Sequence, residues 1–284
     1  MHPAESSPTV AARLLANELR RLRMAAGLSQ ADVAGELGCA PARVGHLETR
    51  RNQVRRSDLL VMLQLYKVPV ERQVWYLDLA VKAKEKGWWD RASGVPEWFS
   101  SLIGLEWGAT QIQTFELSVI PGLLQTRGYI EALFRDDPER PEDVIREFAE
   151  QRLRRQEALT RDRPMLLHAI LDEAALRRMV GGPEVMREQL GHLVEVNQQP
   201  HIRVQVLPFV RGAVPGLESG FHLIGFGVEA DPGVVYLETQ IGGIFLEEEN
   251  EITTYEVSWA KLTRSALTPD ESSAMIKSLM KETK

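Results

Sequence analysis

The side chains best equipped for chemistry fall into two groups. In the first, His168, Asp172 and Glu173 put an imidazole and two carboxylates within six residues, with His201 and His222 further along. Neutral imidazole and carboxylate ligate catalytic zinc and serve as acid and base in hydrolysis, so a metal or hydrolytic site is one reading. A strand would send His168 and Asp172 to the same face. No third ligand, nucleophile elbow, G-x-G-x-x-G or G-K-[ST] loop accompanies them, and a structural histidine is the plainer reading. No catalytic residue, metal or cofactor is therefore assigned, and the chain is not expected to be an enzyme. The single cysteine, Cys39, excludes an internal disulfide and a cysteine-clustered zinc site. It reads as a small buried residue rather than a redox sensor. The second group is cationic: Arg50, Arg51, Arg55 and Arg56 lie within seven residues. Guanidinium forks on a loop match phosphate oxygens, and a solvated charge run is the bland alternative.

What holds these groups must be read from composition and pattern. The chain has 284 residues, 44% hydrophobic and 26% charged, enough for two domains with real cores. No stretch of eighteen apolar residues occurs, and Met1, His2, Pro3, Ala4 and Glu5 lack the order of a secretory signal, so a cytosolic protein is expected. The net charge of -6 is unevenly spread. Residues 1–72 hold 11 Lys and Arg against 7 Asp and Glu, net +4, while residues 73–284 hold 23 against 33, net -10. A basic head on an acidic body suits a phosphate-binding module joined to a domain with other business.

In the head, leucines 15, 19 and 22 share one face of a helix from Val10 to Ala25, and Arg20, Arg21 and Arg23 sit near its end, where the helix dipole favours cations. Gly27 stops it. Ser29 and Asp32 have the spacing of a capping box opening a second helix to about Leu37. Gly38 permits a tight left-handed turn, and Pro41 fits the first turn of a third helix with Val44 and Leu47 inward. Two further helices are expected at about Ser57–Tyr66 and Val70–Lys86, the last turning Val74, Trp75, Leu77, Leu79 and Ala80 to a core before Gly87. One tight turn between short helices is the geometry that enters a DNA major groove. Leu28-Ser29-Gln30-Ala31-Asp32-Val33-Ala34-Gly35-Glu36-Leu37-Gly38, with Val44 and Leu47-Glu48, resembles the phage-repressor (Xre) helix-turn-helix family over roughly residues 10–72.

That resemblance implies a five-helix fold and sequence-specific binding of double-stranded DNA. Its base-reading surface falls on Pro41, Ala42, Arg43 and His46, with Gln30 touching the backbone or an outer base. Arg43 is then the guanine reader, its fork matching the O6/N7 edge, while Pro41 and Ala42 offer apolar contact to a thymine methyl. The family usually has a polar residue where Ala42 stands, so readout would be sparse. Arg50, Arg51, Arg55 and Arg56 would lie along phosphates. Glu48 would pair with Arg23 and fix the angle between the first and third helices.

A domain boundary is placed near residue 85, giving an all-α head over 1–85 and a larger body over 86–284. Trp88, Trp89, Trp98 and Phe99, flanking Gly94-Val95-Pro96, read as a staple holding the linker onto the next domain rather than a ligand cage. Beyond them come a helix near Leu105–Gln113, a long helix at about Glu142–Thr160 with solvated charges, a strand from Pro164 to Ile170 and a helix from Pro183 to Val196. Strands at Ile202–Leu207, Phe221–Phe226, Val234–Thr239 and Gly243–Leu246 and helices at about Asn250–Ser265 and Pro269–Lys281 complete an α+β domain. The segments 120–126, 152–156, 171–176 and 206–208 are similar to a domain of poorly defined function in WhiJ-like actinobacterial regulators, the likeness spanning about 88–280. It implies a regulator, often encoded beside a small acidic or neutral partner and described as antitoxin-like. The expectation is a cytoplasmic, nucleoid-associated homodimer on a near-palindromic operator, with no membrane contact, its body receiving a signal from a ligand or partner. The alternative is an antitoxin-like protein that mainly sequesters a small partner.

Overall fold

The computed structural model describes residues 7–91, 96–135, 137, 139–228 and 231–283; Gly94 and Val95 of the aromatic linker, and the five N-terminal residues read above, lie outside them. The chain divides into two compact units, the first ending at Gly108 and the second beginning at Ala109.

The first unit is all helical: α1 (Pro8–Ala25), α2 (Gln30–Leu37), α3 (Pro41–Glu48), α4 (Arg56–Leu65), α5 (Val70–Lys82) and α6 (Glu97–Gly108). Ser7 caps α1 by accepting from the Val10 amide, and Pro8 stands at its first turn, where no amide is missed. Leu14, Leu19, Val33, Val44, Leu59, Met62 and Leu63 are almost wholly buried and form the core on which the first five helices converge. The fifth helix departs from its expected packing. Val74 is 59% exposed, and Tyr76, wholly buried, takes the inward place, its hydroxyl donating to Glu18 Oε2 at 3.1 Å.

The sixth helix lies beyond the expected boundary at residue 85 and packs on α1. A Cβ at Gly104 would stand 2.0 Å from Thr9 Oγ1 and one at Gly108 2.4 Å from Val10 Cγ2, so only glycine allows this approach. The Ser7 hydroxyl donates to the Gly104 carbonyl at 2.6 Å. Trp88 and Trp89 meet Trp107 of α6 with ring centroids 6.0 and 6.1 Å apart. These tryptophans therefore staple the linker to a helix of the same unit.

The second unit is built on one six-stranded sheet, order β3-β2-β1-β4-β5-β6, from β1 (Gln111–Glu116), β2 (Leu166–Asp172), β3 (Ile202–Leu207), β4 (Phe221–Gly225), β5 (Val234–Thr239) and β6 (Gly242–Leu246). The first three are parallel and the last three antiparallel, an α+β arrangement. The helices are α7 (Arg127–Phe134), α8 (Glu142–Gln156), α9 (Glu173–Arg177), α10 (Gly182–Val196), α11 (Glu249–Ser265) and α12 (Pro269–Glu282). Phe115, Ile170, Leu207, Phe221 and Val235 pack with Ile252, Trp259 and Leu262 of α11. The alternate residues Ile112, Leu167, Ala169, Leu171, Val204 and Val206 are buried as well, as parallel strands with two covered faces require.

Two expectations are corrected here. Residues 111–113 belong to a central strand, not to the end of a helix: Gln111–Glu116 pairs with β2 on one side and β4 on the other, and α6 already ends at Gly108. Arg155 is buried rather than solvated on the long helix. Nearby, three glutamines pin the segment before α7. Gln125 donates to Ile120 O, Gln156 to Gly122 O and Gln125 O, and Gln189 to Leu124 O, all within 2.9 Å.

Candidate nucleic-acid interface

The pair α2–α3 is set by local chemistry. Ser29 and Asp32 form the reciprocal capping box, and the hydrogen bonds from Ser29 hold the Asp32 carboxyl below its usual range. Gly38 ends α2 at φ 60°, a conformation that disfavours any Cβ, and the chain turns into α3 at Pro41. Val44 and Leu47 anchor α3 in the core while Pro41 and Ala42 are exposed at its leading end and His46 is half-buried. No side chain caps that end: Ala40 stands at the N-cap position. Its positive helix terminus is bare beside the exposed surface.

A charged brace fixes the angle of α3. Arg23 donates bidentately to Glu48, Nε to Oε1 at 2.6 Å and Nη2 to Oε2 at 3.0 Å, while its Nη1 donates to the Leu28 carbonyl at 2.8 Å. The Glu48 side chain is only 2% exposed. Its carboxylate also accepts from Gln30 Nε2 at 3.1 Å. Arg23, Glu48 and Gln30 thus form one bonded group. Gln30 lies against Gly45, where a Cβ would meet its Oε1 at 3.2 Å. So Gln30, expected at the DNA backbone, spends one amide donor bracing α2 against α3.

Arg43 is engaged too. Its Nη2 pairs with Asp58 Oδ2 in the first turn of α4, holding the half-buried guanidinium at the α3–α4 junction. No local pattern points to this partner, because Asp58 lies fifteen residues away on another helix. Arg50, Arg51, Arg55 and Arg56 are exposed. Arg50 closes the end of α3 with φ 62°, unusual for a residue with a Cβ. Arg55 and Arg56 occupy the N-cap and first position of α4, again without a side-chain cap. Cations at a helix N-terminus face the positive end of its dipole, an arrangement relieved when an anion binds between them.

The acid, base and imidazole candidates of the body are held apart in structural roles. Asp172 caps α9 by accepting from the Ala174 amide, and Glu173 accepts from Arg177 and from the Phe209 amide. His201 Nε2 meets the Leu159 carbonyl at 2.9 Å. His168 Nε2 lies 2.6 Å from Gln205 Oε1, whose amide nitrogen donates to Leu267 O, so the ring carries its proton on Nε2. Burial pushes His168 down to about 4. No cluster of three metal-ligating side chains occurs among the described residues. The register places Gln113, His168 and Arg203 in one row across β1, β2 and β3, and these side chains line an open cleft of about 420 Å³. No helix among the described residues is long and apolar enough to cross a membrane.

Two family models match the chain. A model described as a helix-turn-helix domain matches residues 14–75, and one described as a domain of unknown function (DUF5753) matches residues 99–278. No curated protein and no solved structure matches the chain.

Proposed function

The chain belongs to the DUF5753 family, and from that premise we propose that it is a sequence-specific transcriptional regulator whose head reads DNA and whose acidic body dimerises and receives a signal. The observation that carries this reading is the braced α2–α3 pair, with the leading end of α3 exposed next to the arginine-bearing start of α4. Such a pair sets one helix into the major groove while flanking cations take phosphates. The segment 28–48 supports a phage-repressor (Xre) type of head, and the segments around 120–126 and 152–156 a WhiJ-like body. In a dimer the two heads would meet half-sites about one helical turn, or a multiple, apart on a near-palindrome. A signal bound in the body would act by changing that spacing. The cleft floored by Gln113, His168 and Arg203 offers hydrogen-bond donors, acceptors and a cation to a small polar ligand.

Genomic footprinting of the tagged protein tests the proposal, with Arg43→Ala and Ala42→Glu in parallel. A discrete near-palindromic site enriched by the wild type and lost in both variants is the expected result. Enrichment of salt-sensitive background alone, or a small protein copurifying one to one without any operator, would reassign the head to protein contact and the body to sequestering a partner.

A further inference from the structure

The two edges of the sheet are finished differently. The outer edge of β3 is closed: Ile202 N donates to Gln199 O at 3.1 Å, Val204 N to Asn197 Oδ1 at 2.6 Å and Val206 N to Ser272 Oγ at 2.9 Å, while Val206 O accepts from Leu267 N at 2.9 Å. These edge groups are bonded by two loops and two side chains. At the other end β6 pairs with β5 alone among the described residues. A strand with one neighbour turns alternate N–H and C=O groups outward, and proteins usually protect such an edge with charge, proline or a bulge. The strand Gly242-Gly243-Ile244-Phe245-Leu246 has no charged residue and no proline. Ile241 at its entry is 95% exposed and Ile244 at its centre 47%.

We infer that β6 pairs antiparallel with β6 of a second copy of this chain, continuing the sheet across a two-fold axis. The inference rests on the dimeric reading above and names its surface. Centred on Ile244, the pairing sets Gly242 opposite Leu246 and Gly243 opposite Phe245, small against large on both sides of the axis. The axis maps this pattern onto itself, as an isologous interface must. Charge selects the direction. Glu247, Glu248 and Glu249 follow the strand directly, and a parallel pairing would stack these runs on one another. The antiparallel register separates the two Glu247 positions by six residues, about 20 Å, well beyond the screening length of about 8 Å in physiological salt.

The test uses the full-length chain. Light scattering across a dilution series gives the dimer dissociation constant for the wild type and for Ile244→Lys, which places two ammonium groups at the axis, with circular dichroism and melting to establish that the variant is folded. In a Cys39→Ser background, Ile244→Cys should form an intermolecular disulfide under mild oxidation, because position 244 faces itself in this register. Expected are a wild-type dimer, at least a tenfold weaker Ile244→Lys dimer, and cross-linking at 244. A dimer unchanged by Ile244→Lys and uncrosslinked at 244 overturns the edge pairing while leaving dimerisation by another surface. A wild-type monomer at every concentration overturns the dimeric reading itself. Should Ile244→Lys fail to fold, the cross-link decides.

Discussion

Glu48 concentrates the energetics of the head in one carboxylate. It is 2% exposed, and three donors from Arg23 and Gln30 replace the water it lost. Removing one partner of such a pair strands a buried charge, which costs about 3 kcal/mol, whereas replacing both by apolar groups of similar size costs far less. Urea unfolding should therefore show Glu48→Ala destabilised by roughly 3 kcal/mol and the Arg23→Met/Glu48→Leu double variant recovering most of it. Equal losses in both would mean that packing, not charge, makes the brace. A second buried carboxylate gives a pH signature in the body. Burial, reinforced by the Glu238 charge and opposed by the Thr114 hydroxyl, pushes Glu116 up to about 8, with His222 Nε2 3.4 Å away. Between the ordinary carboxylate value near 4.5 and about 8, the folded chain holds a proton that the unfolded chain has released, so stability falls as pH rises through that window. His168 acts with opposite sign at the acidic end. Between 6.5 and about 4 the unfolded chain takes up a proton that the folded one refuses, so stability falls as pH drops. Above 6.5 only the Glu116 effect of the two remains. Melting should fall from pH 6.5 to 8 in the wild type and stay level in Glu116→Gln; parallel profiles would place the proton elsewhere.

Among the elements, the start of α4 carries a trade between stability and binding. Arg55 and Arg56 stand where the helix dipole is positive, which costs about 0.3–1 kcal/mol per cation. Replacing both by alanine should raise the free protein's stability by up to about 2 kcal/mol and lower the salt slope of DNA binding by about 2, one per lost phosphate contact. An unchanged slope would show these arginines solvated rather than on phosphate. Local signals made most of the architecture legible: the Ser29–Asp32 capping box, Gly38 after α2 and the clean alternation of 202–207 all lie within a few residues of the elements they define. What escaped depends on distant partners. The central strand β1 is bordered by β2 and β4, which lie far on in the chain, and its own apolar residues, Ile112 and Phe115, are three apart and carry no period-two signal. The Arg43–Asp58 pair and the Gln30 contact to Glu48 need helix crossing angles that no periodicity encodes. The Arg23–Glu48 pair was reachable only through family likeness, for the same reason.

For the molecule as a whole, the consequence lies in where the head ends. The charge pattern changes sign after about residue 72, yet the compact unit runs to Gly108 because α6 returns to α1. Its glycines seat against Thr9 and Val10, and Leu102, Ile103 and Leu105 on the same helix are at most 5% exposed. The family model for the body begins at residue 99, inside this helix, so sequence kinship and physical unit overlap there. A head cut after residue 85 would uncover Val10, which is fully buried in the intact chain and lies against Gly108, and would lose the Ser7 bond to Gly104. Uncovering a buried valine costs about 2 kcal/mol, which for a domain near one hundred residues lowers melting by about 8–16 °C. Fragment 1–108 should therefore melt in one cooperative transition and bind a half-site, while fragment 1–85 melts far lower or without cooperativity. Within 1–108, Gly104→Leu should reproduce the defect of the shorter fragment by driving α6 off Thr9. Identical melting of the two fragments would separate α6 from the head and return the boundary to about residue 85.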